Sequence, residues 1–162
     1  MQAKVFWIPG LWRGRLGIVP RPRGGEWLDD ETRAWREAGI DVVVSLLEPR
    51  EEAELALTRE SASSTASGLE FRSFPILDRG VPDSHESAAE LASQIVKALH
   101  SGKNVALHCR QGIGRSGLIA AAALISSGLD PETALQTIGR ARGFEVPETD
   151  AQRQWISDFS SR

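Results

Sequence analysis

A short apolar strand, a glycine-bearing loop and a small-residue helix follow one another between Val105 and Leu124, and this succession constrains the chain more than any other feature. The strand is Val105-Ala106-Leu107. The loop is His108-Cys109-Arg110-Gln111-Gly112-Ile113-Gly114-Arg115-Ser116, and Gly117–Leu124 continues as the helix. A loop between a strand end and a helix start turns its amides inward, and the helix dipole adds partial positive charge, so the segment builds an anion cradle. The chain's one cysteine stands at its mouth. Thiols in such surroundings ionise readily, with pKa values of about 3.5–7.5. Arg115 falls in the first helical turn, where the dipole opposes a cation. A bound anion explains the exception, since a guanidinium grips two phosphate oxygens at once. A nucleophile facing a phosphate socket implies covalent phosphoryl transfer.

The rest of the chain alternates strands and helices. Val5–Ile8 and Leu16–Val19 read as short strands, and Leu28–Ala38 as a helix closed at Gly39. Val42–Leu47 is a continuous apolar run, as in a strand buried on both faces. Pro49 suits a first helical position, with Glu51, Glu52 and Glu54 favouring that end of the dipole. Ser61–Gly68 reads as a mobile small-residue loop, and Leu69–Phe74 as the next strand. A helix opens at Asp83-Ser84-His85-Glu86 with Asp83 as its cap and runs to His100; His85 and His100 read as surface residues on it. Arg115–Ser127, Asp130–Gly143 and Thr149–Phe159 complete the helices. This order predicts an α/β fold, a central and mostly parallel twisted sheet flanked by helices on both faces. The cysteine then lies at the carboxyl end of a strand, where open α/β sheets place ligands.

At 162 residues, with 41% apolar and 25% charged residues, residues 1–162 read as a single soluble domain with a real core. A net charge of −3 favours neither nucleic acid nor an anionic membrane as partner. A lone cysteine forms no internal disulfide and suits a reducing, cytoplasmic setting. Met1–Trp7 reads as neither a signal peptide nor an anchor. Three scattered histidines and one cysteine have no metal-ligand spacing, so no metal or other cofactor is expected. The basic stretch Arg13, Arg15, Arg21 and Arg23 reads as solvated surface, and Trp7, Trp12 and Trp27 as packing residues.

The loop resembles the signature of the cysteine-dependent protein tyrosine phosphatase superfamily, H-C-x-x-G-x-x-R-[ST], and meets its fixed positions with His108, Cys109, Gly112, Arg115 and Ser116. Asp78-Arg79-Gly80-Val81-Pro82 resembles that family's acid loop, and Val146–Gln152 the loop that opens its last helix. The spacings are similar to the compact dual-specificity branch, especially kinase-associated phosphatases and related bacterial enzymes, over roughly residues 40–160. The resemblance implies Cys109 as nucleophile, Arg115 as binder of substrate and transition state, Asp78 as general acid and then base, and Ser116 as the hydroxyl that helps the thiolate leave. It gives the phosphate to the loop, Arg110, Gln111, Gly112, Ile113, Gly114 and Arg115. His108 falls behind the nucleophile, where it can hold the loop. The family's water-positioning glutamine falls at Glu148, with a second glutamine at Gln152. A carboxylate is poorly suited to a phosphoenzyme's side, which favours Gln152.

The implied function is hydrolysis of phosphotyrosine, with phosphoserine and phosphothreonine as further substrates, through a phosphocysteine. The partners are a phosphorylated protein or peptide, and phosphate, vanadate or sulfate as active-site anion. A phosphoinositide or other small phosphoester phosphatase is the alternative enzyme, and a phosphoprotein-binding pseudophosphatase the alternative without catalysis. Only Arg110 is basic among the loop's variable positions, whereas lipid phosphatases of this superfamily tend to carry lysines there. Sulfurtransferases use a shorter loop and need no acid. Low-molecular-weight phosphatases and arsenate reductases place the cysteine near the N-terminus.

Overall fold

The computed structural model describes residues 2–159. Five strands and seven α-helices follow in the order β1 (Phe6–Ile8), β2 (Leu16–Ile18), α1 (Leu28–Glu37), β3 (Val42–Ser45), α2 (Pro49–Glu54), α3 (Glu60–Ala66), β4 (Glu70–Ser73), α4 (His85–His100), β5 (Val105–His108), α5 (Gly114–Ser126), α6 (Pro131–Arg142) and α7 (Asp150–Phe159). The sheet order is β1-β2-β5-β3-β4. Only the β1–β2 edge is antiparallel; β2, β5, β3 and β4 run parallel.

Both faces of the sheet are covered. Leu16, Ile18, Val42, Val44, Val105 and Leu107 pack with Leu118, Ile119, Leu91, Ile95 and Ile138 from the helices on one face. Val43 and Ala106 pack with Trp35, Ile40 and Leu69 on the other. The α/β architecture read from the sequence is therefore the observed one. Helix α5 is buried from Gly114 through Leu124, packed against α4, α6 and α7 as well as the sheet. Its alanines leave room for those close approaches. Asp130 caps α6 by accepting from the Thr133 amide at 2.9 Å, with Pro131 at the first helical position and Gly143 in the left-handed conformation at the end (φ +79°).

Four expectations need correction. Ser61–Gly68 is not a mobile loop but mostly helix α3. Its small residues let it lie against α1, where Thr32 Oγ1 meets Ser63 Oγ at 2.9 Å and Ser63 Oγ donates to Asp29 Oδ1 at 2.7 Å. A helix held by polar contacts and small side chains shows no apolar stripe in its sequence. Asp83 does not cap α4: Ser84 adopts the extended cap conformation and accepts from the Ser87 amide at 3.1 Å. His85 is half-buried against the Phe159 and Trp155 rings, at 5.1 and 6.1 Å, because α7 crosses the start of α4. Trp27 is 47% exposed, with the Arg23 guanidinium 4.5 Å over its ring, and so is a surface residue.

Candidate active site

The signature loop leaves β5 at its carboxyl end and enters α5 at Gly114. Cys109 is 2% exposed, and its Sγ accepts from the Gly112 amide at 3.2 Å. Gly112 has φ +75°, a conformation that strains any residue with a Cβ. Its carbonyl turns outward and accepts from Arg142 Nε at 2.8 Å. Gly114 is approached closely by two side chains of the last-helix loop. A Cβ there would lie 2.8 Å from Glu148 Oε1 and 3.1 Å from both amide atoms of Gln152.

Arg115 is buried, and its guanidinium is fixed on several sides. It forms a bidentate pair with Glu51, Nη1 to Oε1 at 2.6 Å and Nη2 to Oε2 at 2.9 Å. Nη1 also donates to the Ile76 carbonyl at 2.9 Å, and Nη2 to Asp78 Oδ1 at 3.1 Å. The parallel strands explain the meeting. The exits of β3 and β4 stay paired through the Ile76 amide and the Leu46 carbonyl at 3.1 Å, which lays the Asp78 loop beside α2. Glu51 also accepts from the Glu48 amide at 3.1 Å, so one carboxylate caps α2 and clamps Arg115. Burial pushes the Glu51 carboxyl up, but Arg115, the Glu48 amide and Arg110 outweigh it and hold it below the ordinary range. Burial likewise opposes the Arg115 charge, and Glu51, Cys109 and Asp78 together raise it above the ordinary value.

The other sequence candidates fall around this centre. His108 Nε2 lies 2.6 Å from Glu60 Oε2, both side chains buried, with the Trp35 ring 5.9 Å away. Ser116 Oγ is buried and has no hydrogen-bond partner among the described residues. Arg110 turns from Cys109 toward α2, its Nη1 3.3 Å from Glu54 Oε2, while Gln111 is exposed and Ile113 half-buried. Arg79, in the left-handed region at φ +62°, pairs with Glu148 Oε2 at 3.5 Å. Gln152 is buried and braces the neighbouring backbone. Its Nε2 donates to the Gly80 carbonyl at 3.0 Å, and its Oε1 accepts from the Glu148 and Thr149 amides at 3.1 and 3.3 Å. Glu148 and Gln152 thus both reach the loop edge at Gly114 and both hold the Asp78–Gly80 segment.

Sequence reasoning missed three contributors. Glu51 was legible only as a favourable charge for the α2 dipole. Glu60 lay just ahead of the segment read as a loop. Arg142 stood in a distant helix with nothing to link it to Gly112. No group of three or more His, Cys, Asp or Glu that could hold a metal ion is present among the described residues. No helix among the described residues is long and apolar enough to cross a membrane.

Known proteins share this fold. Human cyclin-dependent kinase inhibitor 3 is 30% identical over 97 residues, which cover 59% of this chain and 45% of that protein, so the match spans under half of the relative's length. The crystal structure of kinase associated phosphatase, with serine in place of its catalytic-site cysteine, superimposes with a TM-score of 0.89 at 20% identity, covering 99% of this chain and 96% of the other. The active form of Tk-PTP is 29% identical, with a TM-score of 0.77 over 100% of this chain and 99% of its own. PTPMT1 in complex with PI(5)P gives 0.76 at 22% identity, over 92% and 91% of the two chains. The family described as "Polymorphic toxin system, DSP-PTPase phosphatase" matches residues 18–129, more than half of the sequence. This chain therefore belongs to that DSP-PTPase family, within the compact dual-specificity branch of the protein tyrosine phosphatase superfamily.

Proposed function

We propose that the protein hydrolyses phosphate monoesters on proteins, phosphotyrosine first and phosphothreonine or phosphoserine more slowly, through a phosphocysteine at Cys109. One observation carries the reading. The Arg115 guanidinium, held by Glu51, reaches Asp78 at 3.1 Å from the same loop whose Gly112 amide donates to Cys109 Sγ at 3.2 Å. Arg115 thereby ties the acid to the loop that holds the nucleophile and senses the charge of both.

Cys109 Sγ attacks phosphorus, the P–S bond forms, and the P–O bond to the substrate breaks. Arg115 and the loop amides hold the phosphoryl oxygens, whose charge is spread in a loose transition state. Asp78 gives its proton to the departing oxygen, then takes one from the water that attacks phosphorus and frees the thiolate. The unpartnered Ser116 hydroxyl is available to the sulfur as it leaves. An incoming phosphoryl group competes with Asp78 for Arg115 Nη2; the freed carboxylate, now without its cation and beside the anionic phosphate, takes up a proton from solvent and carries it to the leaving oxygen. No step calls for a metal ion.

Protein substrates fit the chemistry around the socket better than multiply phosphorylated lipid headgroups. Such headgroups need several cations to replace lost hydration, while Arg110 is already engaged by Glu54 and Arg79 by Glu148. The names of kinase associated phosphatase and cyclin-dependent kinase inhibitor 3 associate those relatives with protein kinases, while PTPMT1 in complex with PI(5)P represents the lipid alternative. Phosphate release from phosphotyrosine peptides, phosphothreonine peptides and phosphoinositides, measured side by side, tests the reading. The expected order of kcat/KM is phosphotyrosine, then phosphothreonine, then lipid. A clear preference for phosphoinositides would replace the reading with a lipid phosphatase.

A further inference from the structure

Beside the signature loop lies a second concavity of about 360 Å³, walled by Pro20, Arg21, Leu55, Arg110 and Gln111, with Arg23 at its rim. It lies at the carboxyl end of the parallel strands, where the segments after β2 and β5 leave the sheet side by side. The segment after β2 crosses toward the signature loop, and Arg21 Nη1 donates to the Arg110 carbonyl at 3.1 Å. The basic stretch therefore divides. Arg15 stacks on Trp7 at 4.0 Å, while Arg21 bonds the residue that follows the nucleophile.

The cations of this cleft differ in how far their charge is already met. Arg23 pairs with Glu31 at 2.6 Å, and Arg110 with Glu54 at 3.3 Å. The Arg21 bond goes to a neutral carbonyl, and no carboxylate lies within ion-pair distance of it among the described residues. The cleft thus presents one uncompensated guanidinium beside an apolar wall, Leu55, and the polar Gln111 amide. A single carboxylate on a flexible side chain suits that combination. A headgroup with several phosphates would meet Glu31 and Glu54 as well as Arg21.

We infer that this cleft binds an acidic side chain flanking the phosphorylated residue of a peptide substrate, with Arg21 as its cation. The inference rests on the phosphoprotein reading above, and binding can test it separately from turnover. The probe is the Cys109→Ser chain with two fluorescent phosphotyrosine peptides, one with glutamates on both sides of the phosphotyrosine and one with glutamines. An exposed ion pair contributes little, and more when partly desolvated, so the glutamate peptide should bind about three- to tenfold tighter. That preference should shrink toward one between about 50 and 300 mM salt. Adding Arg21→Gln should remove it, Arg21→Lys should keep part of it, and Arg15→Gln should leave it whole. Equal binding of the two peptides, no binding of either, or a preference that survives Arg21→Gln would overturn the inference. Arg21-dependent binding of a short-chain phosphatidylinositol bisphosphate without any peptide preference would also overturn it, in favour of a lipid. Hydrolysis of p-nitrophenyl phosphate by the unmodified chain reports on the phosphatase reading alone.

Discussion

Arg142 holds the Gly112 carbonyl at 2.8 Å from the far side of the signature loop. Its guanidinium is itself positioned by the Phe6 ring at 3.9 Å and the Phe144 ring at 5.3 Å. Carbonyl and amide point opposite ways across a trans peptide. Fixing the Gly112 carbonyl outward therefore aims the Ile113 amide away from Arg142, while the amide of Gly112 itself meets Cys109 Sγ.

Arg142→Gln should loosen this arrangement without touching substrate. A charge-assisted hydrogen bond contributes about 1.5–3 kcal/mol, so kcat should fall roughly tenfold or more. Alkylation of Cys109 by iodoacetamide at neutral pH should slow in parallel. Unchanged kcat and unchanged alkylation would show that the loop keeps its shape without Arg142.

Glu51→Gln should act on both stability and binding. The Glu51 carboxyl is held below its ordinary range by Arg115. The stability it contributes is therefore present above that range and is lost as pH falls through the lowered value. Leaving Arg115 buried without its counter-charge costs about 3–5 kcal/mol in the severest cases, and glutamine retains part of the hydrogen bonding. The variant should melt roughly 5 °C or more below the parent at pH 7, and the gap should close as pH falls below the ordinary carboxylate range and through the lowered value of Glu51. KM should rise, since Arg115 is less firmly aimed. A gap that is constant from pH 7 to pH 3 would contradict the clamp.

Asp78→Asn should slow hydrolysis of a phosphotyrosine peptide by about 10²–10⁴. The loss should be smaller for p-nitrophenyl phosphate, whose leaving group needs little protonation. Asp83→Asn should leave both rates near those of the parent, since the cap of α4 is Ser84. A larger defect in Asp83→Asn would move the acid to that residue.

The strands and most helices were legible because each carries a local signal. Apolar runs mark β3 and β5, Asp130-Pro131 opens α6, and Thr149 with Gln152 brackets the start of α7 through reciprocal bonds at 3.1 and 3.3 Å. Cys109 and Arg115 were legible for a similar reason, since one contiguous loop holds both. Helix α3 was not, because its stability lies in contacts to Thr32 and Asp29 on another helix. Glu51 and Arg142 escaped for the same physical reason. A side chain that reaches the site from a separate element leaves no spacing pattern around the motif, and only the packing of α2 and α6 against the loop brings them there.

The central claim is that Cys109 carries the phosphoryl group during turnover. Acid quenching of Ser116→Ala during hydrolysis of a peptide bearing radiolabelled phosphate, followed by mapping of the label, tests it most directly. Loss of the Ser116 hydroxyl should slow thiolate departure and let the phosphoenzyme accumulate, with the label on the peptide that contains Cys109 and none retained by Cys109→Ser. Label on another residue, or full turnover by Cys109→Ser, would contradict the account.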